Sequence, residues 1–172
     1  GDLLPTCSIK HWENPALHRY KGRICFRGDN AKDEHGKAAA YQDLSASPAG
    51  IFDINSSIAW GCCPGNTTTA SDALTAYLQA LLLTLIATWV AIPIELWPED
   101  GPWQRMGFKN YGDERPMCRL YKALYGHPEA GGHWERLLTR SVTELGAQAI
   151  PGHKSSYWFP KHSQLLTVYV DD

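Results

Sequence analysis

The chain has 172 residues, 44% hydrophobic and 20% charged, with 16 Lys+Arg against 18 Asp+Glu and a formal net charge of −2. That length fits one domain able to bury a core, and that composition excludes disorder throughout. The slight acidic excess excludes a protein that holds nucleic acid by its total charge, so any such site must be a local basic patch.

Residues 1–18 carry Pro5, Pro15 and scattered polar side chains and read as a loosely held lead-in. Residues 1–10 lack a basic stretch followed by an apolar one, so no signal peptide is read. Residues 19–27 alternate, with Tyr20, Ile24 and Phe26 on one side and Lys21, Arg23, Cys25 and Arg27 on the other. That pattern predicts a half-buried strand with a basic outer face. Gly28, Asp29 and Asn30 then turn the chain. Ser47 and Pro48 predict a helix start, Ile51, Ile54 and Ile58 follow at helical spacing, and Gly61 ends the helix.

Thr67, Thr68 and Thr69 suit a short strand. Asp72 comes directly after, where good helix formers begin, and a plain helix cap accounts for it as well as chemistry does. Residues 73–94 hold no charge and are long enough to span a bilayer. Gln79, the threonines and Pro93 interrupt them, and no Lys or Arg flanks them, so no membrane is expected. They read instead as a buried helix running into a strand at 88–96, with 81–90 packed inside the domain. Residues 97–115 are a loop by their Gly, Pro and charge, and 118–121 a short strand. Pro128 opens a helix whose apolar face is Trp134, Leu137, Leu138, Val142 and Leu145, and Gly146 stops it. Two apolar strands follow at 157–159 and 165–170 with a turn at 160–164. The second puts Leu166, Val168 and Val170 on one face and runs into Asp171 and Asp172.

Five cysteines, an odd number without a C-x-x-C pair, give no zinc pattern, and reduced thiols are expected. The adjacent carboxylates Asp171 and Asp172 are more telling. At a buried strand tip each raises the other's pKa, and a cation between them relieves the cost. Asp oxygens suit Mg²⁺, and a third carboxylate would complete a two-metal site. Asp72 is the best internal candidate for it. Alone, a terminal Asp pair reads as a solvated end.

The pair does not stand alone. VYVDD at 168–172 resembles the aromatic-x-Asp-Asp hairpin of reverse transcriptases, and CRLYKALYGHPEAGGHW at 118–134 resembles K-A-L-Y-G-L-K-Q-A-P-R-x-W of copia-type LTR-retrotransposon polymerases. Lys122, Ala123, Leu124, Tyr125, Gly126, Ala130 and Trp134 are kept. DALTAYLQA at 72–80 is similar to D-V-K-T-A-F-L-N-G, RYKGRICFRG at 19–28 to R-Y-K-A-R-L-V-A-K-G, LSASPAG at 44–50 to F-S-P-V-A, and IPIELWPEDG at 92–101 to M-x-Q-P-x-G-F. The six blocks stand in the family's order across residues 19–172.

The resemblance implies an α+β fold, the fingers and palm of a right-hand polymerase, with an antiparallel palm sheet and packed helices, C-terminally truncated, spanning residues 19–172. The implied activity is RNA-directed DNA polymerisation by two-metal nucleotidyl transfer. Asp72, Asp171 and Asp172 would be catalytic and hold two Mg²⁺ ions, with Mn²⁺ as a substitute. Tyr77 would lie under the sugar of the incoming nucleotide. Lys21, Arg23 and Arg27 would face the triphosphate or template, and Tyr169 would stand beside the primer end. Core packing for Tyr77 and a solvated strand face for the three cations are the plain readings of the same residues. Glu129 stands where the family has a nucleotide-contacting Gln, and a carboxylate beside a triphosphate is unfavourable. Implied partners are an RNA template, a DNA primer, deoxynucleoside triphosphates and the rest of a Pol polyprotein. The implied setting is a cytoplasmic virus-like particle. The chain stops at Asp172, before the return strand and thumb, so it is not expected to polymerise DNA alone. The alternative is a decayed remnant that at most binds nucleic acid.

Overall fold

The computed structural model describes residues 1–41, 48–97, 100 and 117–169. They form a mixed α/β structure with small antiparallel sheets. The first sheet is a ribbon of two strands, β1 (Leu3–Lys10) and β2 (Arg19–Phe26), in register from Leu3 opposite Phe26 to Lys10 opposite Arg19. Residues 1–18 are therefore not a loose lead-in: their first half is a paired strand. Pro5 is tolerated because a two-stranded ribbon leaves one edge of each strand without a partner. The expected core face of β2 is also corrected. Tyr20 and Ile24 are exposed, and only Phe26 is buried, at the inner end. Among the described residues no second layer covers the rest of the ribbon.

A helix, α1 (Ile51–Gly61), follows, with Gly50 before it donating its N–H to the Asp53 carboxylate at 3.2 Å. Ser47, the expected cap, lies outside the described residues. The helix does not bury its isoleucine side: Ile51 and Ile58 are exposed. It meets its neighbours instead through Asp53, Ser57 and Trp60, which contact His153, Thr167 and Trp158.

Residues 67–73 are irregular, so the threonine strand and the Asp72 cap are not found. A four-residue helix, α2 (Ala76–Gln79), starts after Thr75 in the left-handed region at φ 49°. The long buried helix expected at 73–94 does not form. Backbone pairing with the segment around residue 122 competes with it: Ala123 N–H donates to Ala80 O, and Leu82 N–H to Tyr121 O, at 3.0 and 2.9 Å. Leu83, Leu85 and Ile86 are left exposed, which corrects the expectation that 81–90 is packed inside. Among the described residues no helix is long and apolar enough to cross a membrane.

Strands β3 (Trp89–Ala91) and β4 (Met117–Arg119) pair as a second small sheet. Helix α3 (Ala130–Glu144) then runs to Gly146, whose φ of 93° lets the chain leave the helix, with Ala147 N–H closing on Val142 O. Trp134 and Val142 are buried and Leu137 and Leu138 half-buried, as their spacing predicts; Leu145 is exposed. The third sheet is β5 (Gln148–Ala149), β6 (Ser156–Phe159) and β7 (Gln164–Thr167), in that order. Tyr157, Leu166 and Val168 pack towards Val142 of α3, and Trp158 and Thr167 towards α1, so this sheet lies between two helices.

Two further apolar clusters lie beside it. One joins Tyr77, Ala80, Ala123, Ala130 and Trp134, the other Phe26, Ala31, Val90 and Leu124. Adjacent residues 123 and 124 face different clusters, so this extended segment ties the two together.

Candidate functional site

The segment 122–129 joins two of the apolar clusters, through Ala123 and Leu124. Tyr125 O accepts from Phe26 N–H at 2.6 Å, which fastens the end of β2 to it. Gly126 has φ 81°, and a Cβ there would clash with Phe26 O, so no other residue fits this close approach. Lys122 donates to Gln79 O at 3.2 Å, and Tyr77 meets Tyr125 edge to face with 4.8 Å between ring centres.

Three titratable side chains at the end of this segment and just beyond it are buried: His127, Glu129 and His133. His127 Nδ1 accepts the Glu129 backbone N–H at 3.2 Å, which leaves the proton on Nε2 for Thr88 Oγ1 at 3.1 Å. The ring also packs on Phe26 and Tyr41. Burial pushes its pKa down to about 4, against the pull of Glu129 and with the help of His133, so it is neutral at physiological pH. His133 Nδ1 accepts from the Arg136 guanidinium at 3.1 Å, so its Nε2–H points to the Glu129 carboxylate, 3.9 Å away. Both nitrogens of His127 are committed to hydrogen bonds. Among the described residues no group of three or more His, Cys, Asp or Glu could hold a metal.

The residues expected to act on a substrate are not gathered here. Tyr77 is buried at 8% exposure within the core, its plain packing reading, and does not lie on an open surface. Glu129 is also buried, facing His133, which explains how a carboxylate is accommodated there. Asp72 is exposed in an irregular segment rather than at a strand tip in apolar surroundings. Asp171 and Asp172 lie outside the described residues. Tyr169, just before them, is exposed, and Val168 is held by Ser155 O. All five cysteines are free thiols.

The basic residues have a separate place. Directly opposite residues of a ladder share a face. The register therefore puts Lys10, Ser8 and Thr6 beside Arg19, Lys21 and Arg23 on one face of the ribbon. Leu3, Pro5, Cys7 and Ile9 lie with Tyr20, Gly22, Ile24 and Phe26 on the other. Arg27 differs from the other cations: it is ion-paired with Asp29 at 3.1 Å, which raises the Arg27 pKa and lowers that of Asp29. Lys10, Arg19, Lys21 and Arg23 meet no carboxylate among the described residues. Sequence reasoning missed Lys10 and left Arg19 unassigned. The alternation of Leu3, Pro5, Cys7 and Ile9 with Thr6, Ser8 and Lys10 is the pattern that reveals them. It missed His127 and His133 too, for which only their place beside the helix start gave a hint. No protein-family model, no curated protein and no solved structure matches the chain.

Proposed function

We propose that the chain is the fingers and part of the palm of a copia-type reverse transcriptase, an RNA-directed DNA polymerase. One observation supports it above the rest. Ala123, Ala130 and Trp134, all kept from the family's block at 118–134, form a single apolar cluster with Tyr77, the aromatic of the block at 72–80. The end of β2, from the block at 19–28, is hydrogen-bonded to Tyr125 of the block at 118–134. Three blocks separated by up to a hundred residues of sequence interlock, which is what a shared fold kernel requires and chance resemblance of short motifs does not.

In this reading Asp72, Asp171 and Asp172 would hold two Mg²⁺ ions, whose chemistry would be charge stabilisation and activation of a 3′-hydroxyl for phosphoryl transfer. Of the three only Asp72 is described, and its exposure leaves it open to a cation without fixing where a second ligand stands. Lys21 and Arg23 supply positive charge for a triphosphate or template strand. Arg27, tied to Asp29, contributes least. The exposure of Asp72 in an irregular segment favours one rival, a remnant that binds nucleic acid without chemistry.

Titration with Mn²⁺, followed by the electron paramagnetic resonance of the free ion, tests the metal site. The expected result is Mn²⁺ binding that weakens about tenfold in Asp72→Asn and in Asp171→Asn alike, about 1.4 kcal/mol for each ligand lost. Unchanged affinity in both variants overturns the polymerase reading in favour of the remnant. Weakening in Asp171→Asn alone removes Asp72 from the site.

A further inference from the structure

We propose that the loop at 82–88 is an interfacial anchor: its apolar tip enters an anionic lipid surface, and Trp89, Tyr121, Arg119 and Lys122 stand at the headgroups. The inference goes beyond the function proposed above and does not rest on it. It concerns attachment to one leaflet, which needs no helix that spans a bilayer.

Three features of the loop carry it. The first is a closed base. Leu82 N–H donates to Tyr121 O at 2.9 Å and Leu120 N–H to Thr88 O at 2.8 Å. Just outside, Leu81 is bridged to Lys122, and Trp89 stands opposite Arg119 in the ladder. Both ends of the loop are thus fastened to one short segment, which holds residues 83–87 as a compact excursion. The Thr84 hydroxyl donates to Ile86 O at 2.7 Å, so one tip carbonyl keeps a partner when water leaves.

The second feature is what the tip presents. Leu83, Leu85 and Ile86 are 75%, 85% and 83% exposed. Residues 73–94 contain no charged side chain, so no ion is drawn out of water with them. Large aliphatic groups held together on a fastened loop differ from the scattered single residues of an ordinary surface. The third feature is the collar. Trp89 and Tyr121 are exposed at the base, and rings with one apolar and one polar end settle at headgroup level. Opposite residues share a face, and the Arg119 guanidinium lies over the Tyr121 ring at 5.1 Å, so Trp89, Arg119 and Tyr121 stand on one side of the base. Lys122 is exposed beside them. Neither Arg119 nor Lys122 is ion-paired among the described residues.

Charge complementarity selects the occupant. An apolar tip alone suits a neutral bilayer or a second copy of the chain as well. Two cations at its base suit a surface that is apolar within and negative at its rim, which describes a leaflet with acidic headgroups. A second copy brings the same cations to the same place, so two tips packed together would set Arg119 and Lys122 against their own kind. The other apolar side chains in the open lack this arrangement: Ile51 and Ile58 share α1 with Asp53 and with no Lys or Arg.

The test is flotation of the full 172-residue chain with vesicles of phosphatidylcholine alone, and of phosphatidylcholine and phosphatidylserine in equal parts. Binding to the mixed vesicles should weaken about a hundredfold in Leu85→Ser with Ile86→Ser, about tenfold for each aliphatic side chain kept out of the bilayer. Arg119→Gln with Lys122→Gln should weaken it about twenty-fivefold, about fivefold for each cation, and should leave binding to pure phosphatidylcholine unchanged. Ile51→Ser with Ile58→Ser should change neither. Circular dichroism verifies that each variant folds; Leu85 and Ile86 are exposed, so their loss leaves the core intact. Unchanged binding in the Leu85/Ile86 variant overturns the proposal, as does an equal loss in the Ile51/Ile58 variant, which would make the attachment a general property of exposed apolar groups. No binding of the chain to the mixed vesicles also overturns it. If sedimentation velocity then shows a dimer that the Leu85/Ile86 variant loses, the occupant of the tip is a second copy. The assay contains no metal, so its failure and that of the polymerase reading are told apart by the Mn²⁺ titration.

Discussion

The ribbon and the segment at 122–129 carry resemblance blocks of similar quality, yet they hold them in opposite ways. The ribbon exposes both faces, carries four cations that are not ion-paired among the described residues, and buries only Phe26 at its base. The segment at 122–129 buries Ala123, Leu124, His127 and Glu129 and gives its backbone groups to three different neighbours. A motif can therefore persist in a sequence for two unlike reasons. Residues of the inner segment hold the fold together, so changing them costs stability. Residues of the ribbon face outward, so changing them costs little stability. The predictions below separate those two responses.

The largest effect belongs to Trp134. Its indole is 7% exposed and packs with Tyr77, Ala80, Ala123 and Ala130. Trp134→Ala removes the largest member of that cluster and leaves a cavity that backbone pairing on either side prevents from closing. A loss of about 3–5 kcal/mol is expected by urea denaturation. A loss below about 1 kcal/mol would show that the cluster is not a core and would dissolve the contrast with the ribbon. Gly126→Ala follows, at roughly 2–4 kcal/mol, from the positive φ and the clash with Phe26 O together. An intact transition midpoint in that variant would mean that β2 is not docked on this turn.

The difference is also sharpened by pH. His127 is buried as the neutral ring, with a pKa of about 4 against an ordinary value near 6.5. The unfolded chain therefore binds the proton first as pH falls. Stability is fully present above pH 6.5 and is lost between 6.5 and 4, by about 2–3 kcal/mol at most. His127→Asn should flatten this part of the pH profile while lowering stability at pH 7, since Thr88 and the Glu129 N–H lose a well-placed partner. A profile with the same slope in the variant would move the effect to another group. The ribbon offers no such buried group, so its variants should leave the pH profile unchanged.

The same contrast explains what could be read from the sequence. Strand β2 and helix α3 were legible because each shows one period over many residues: alternation in the first, and Trp134, Leu137, Leu138 and Val142 in the second. Strand β1 has the same alternation, but Pro5 and its place at the start of the chain argued against it, and its partner lies beyond a turn that no local pattern announces. The segment at 73–94 misled for a different reason. Its residues favour a helix individually, yet Ala80 and Leu82 give their backbone groups to residues 121 and 123. Long-range pairing of that kind leaves no trace in local propensity. Tyr77 shows the limit for function: an aromatic at the family's sugar-contact position and an aromatic in a core have the same spacing. Asp171 and Asp172, the most specific part of the motif, lie outside the described residues.

The smallest effect runs in the opposite direction and isolates the ribbon from the core. Lys10 and Arg19 face each other across the ladder, and neither is ion-paired among the described residues. Replacing Lys10 by Glu turns a repulsive cross-strand pair into an attractive one, and both side chains are exposed, so no desolvation opposes the gain. The variant should therefore be more stable than the parent by about 0.5 kcal/mol, within the range of exposed cross-strand charge pairs. Because the groups face water, the gain should fade as salt rises to 0.5 M, where the screening length is only a few ångströms. In the function proposed above, Lys21 and Arg23 of the same face meet a template strand, so Lys10→Glu should also bind a single-stranded oligouridylate less well than Lys10→Ser. Stability and binding would then move in opposite directions at one residue. That combination is expected only where a site keeps charge at the expense of its own fold. Destabilisation by Lys10→Glu, or a gain that does not respond to salt, would show that Lys10 is held by packing, and the ribbon would then belong with the inner segment after all.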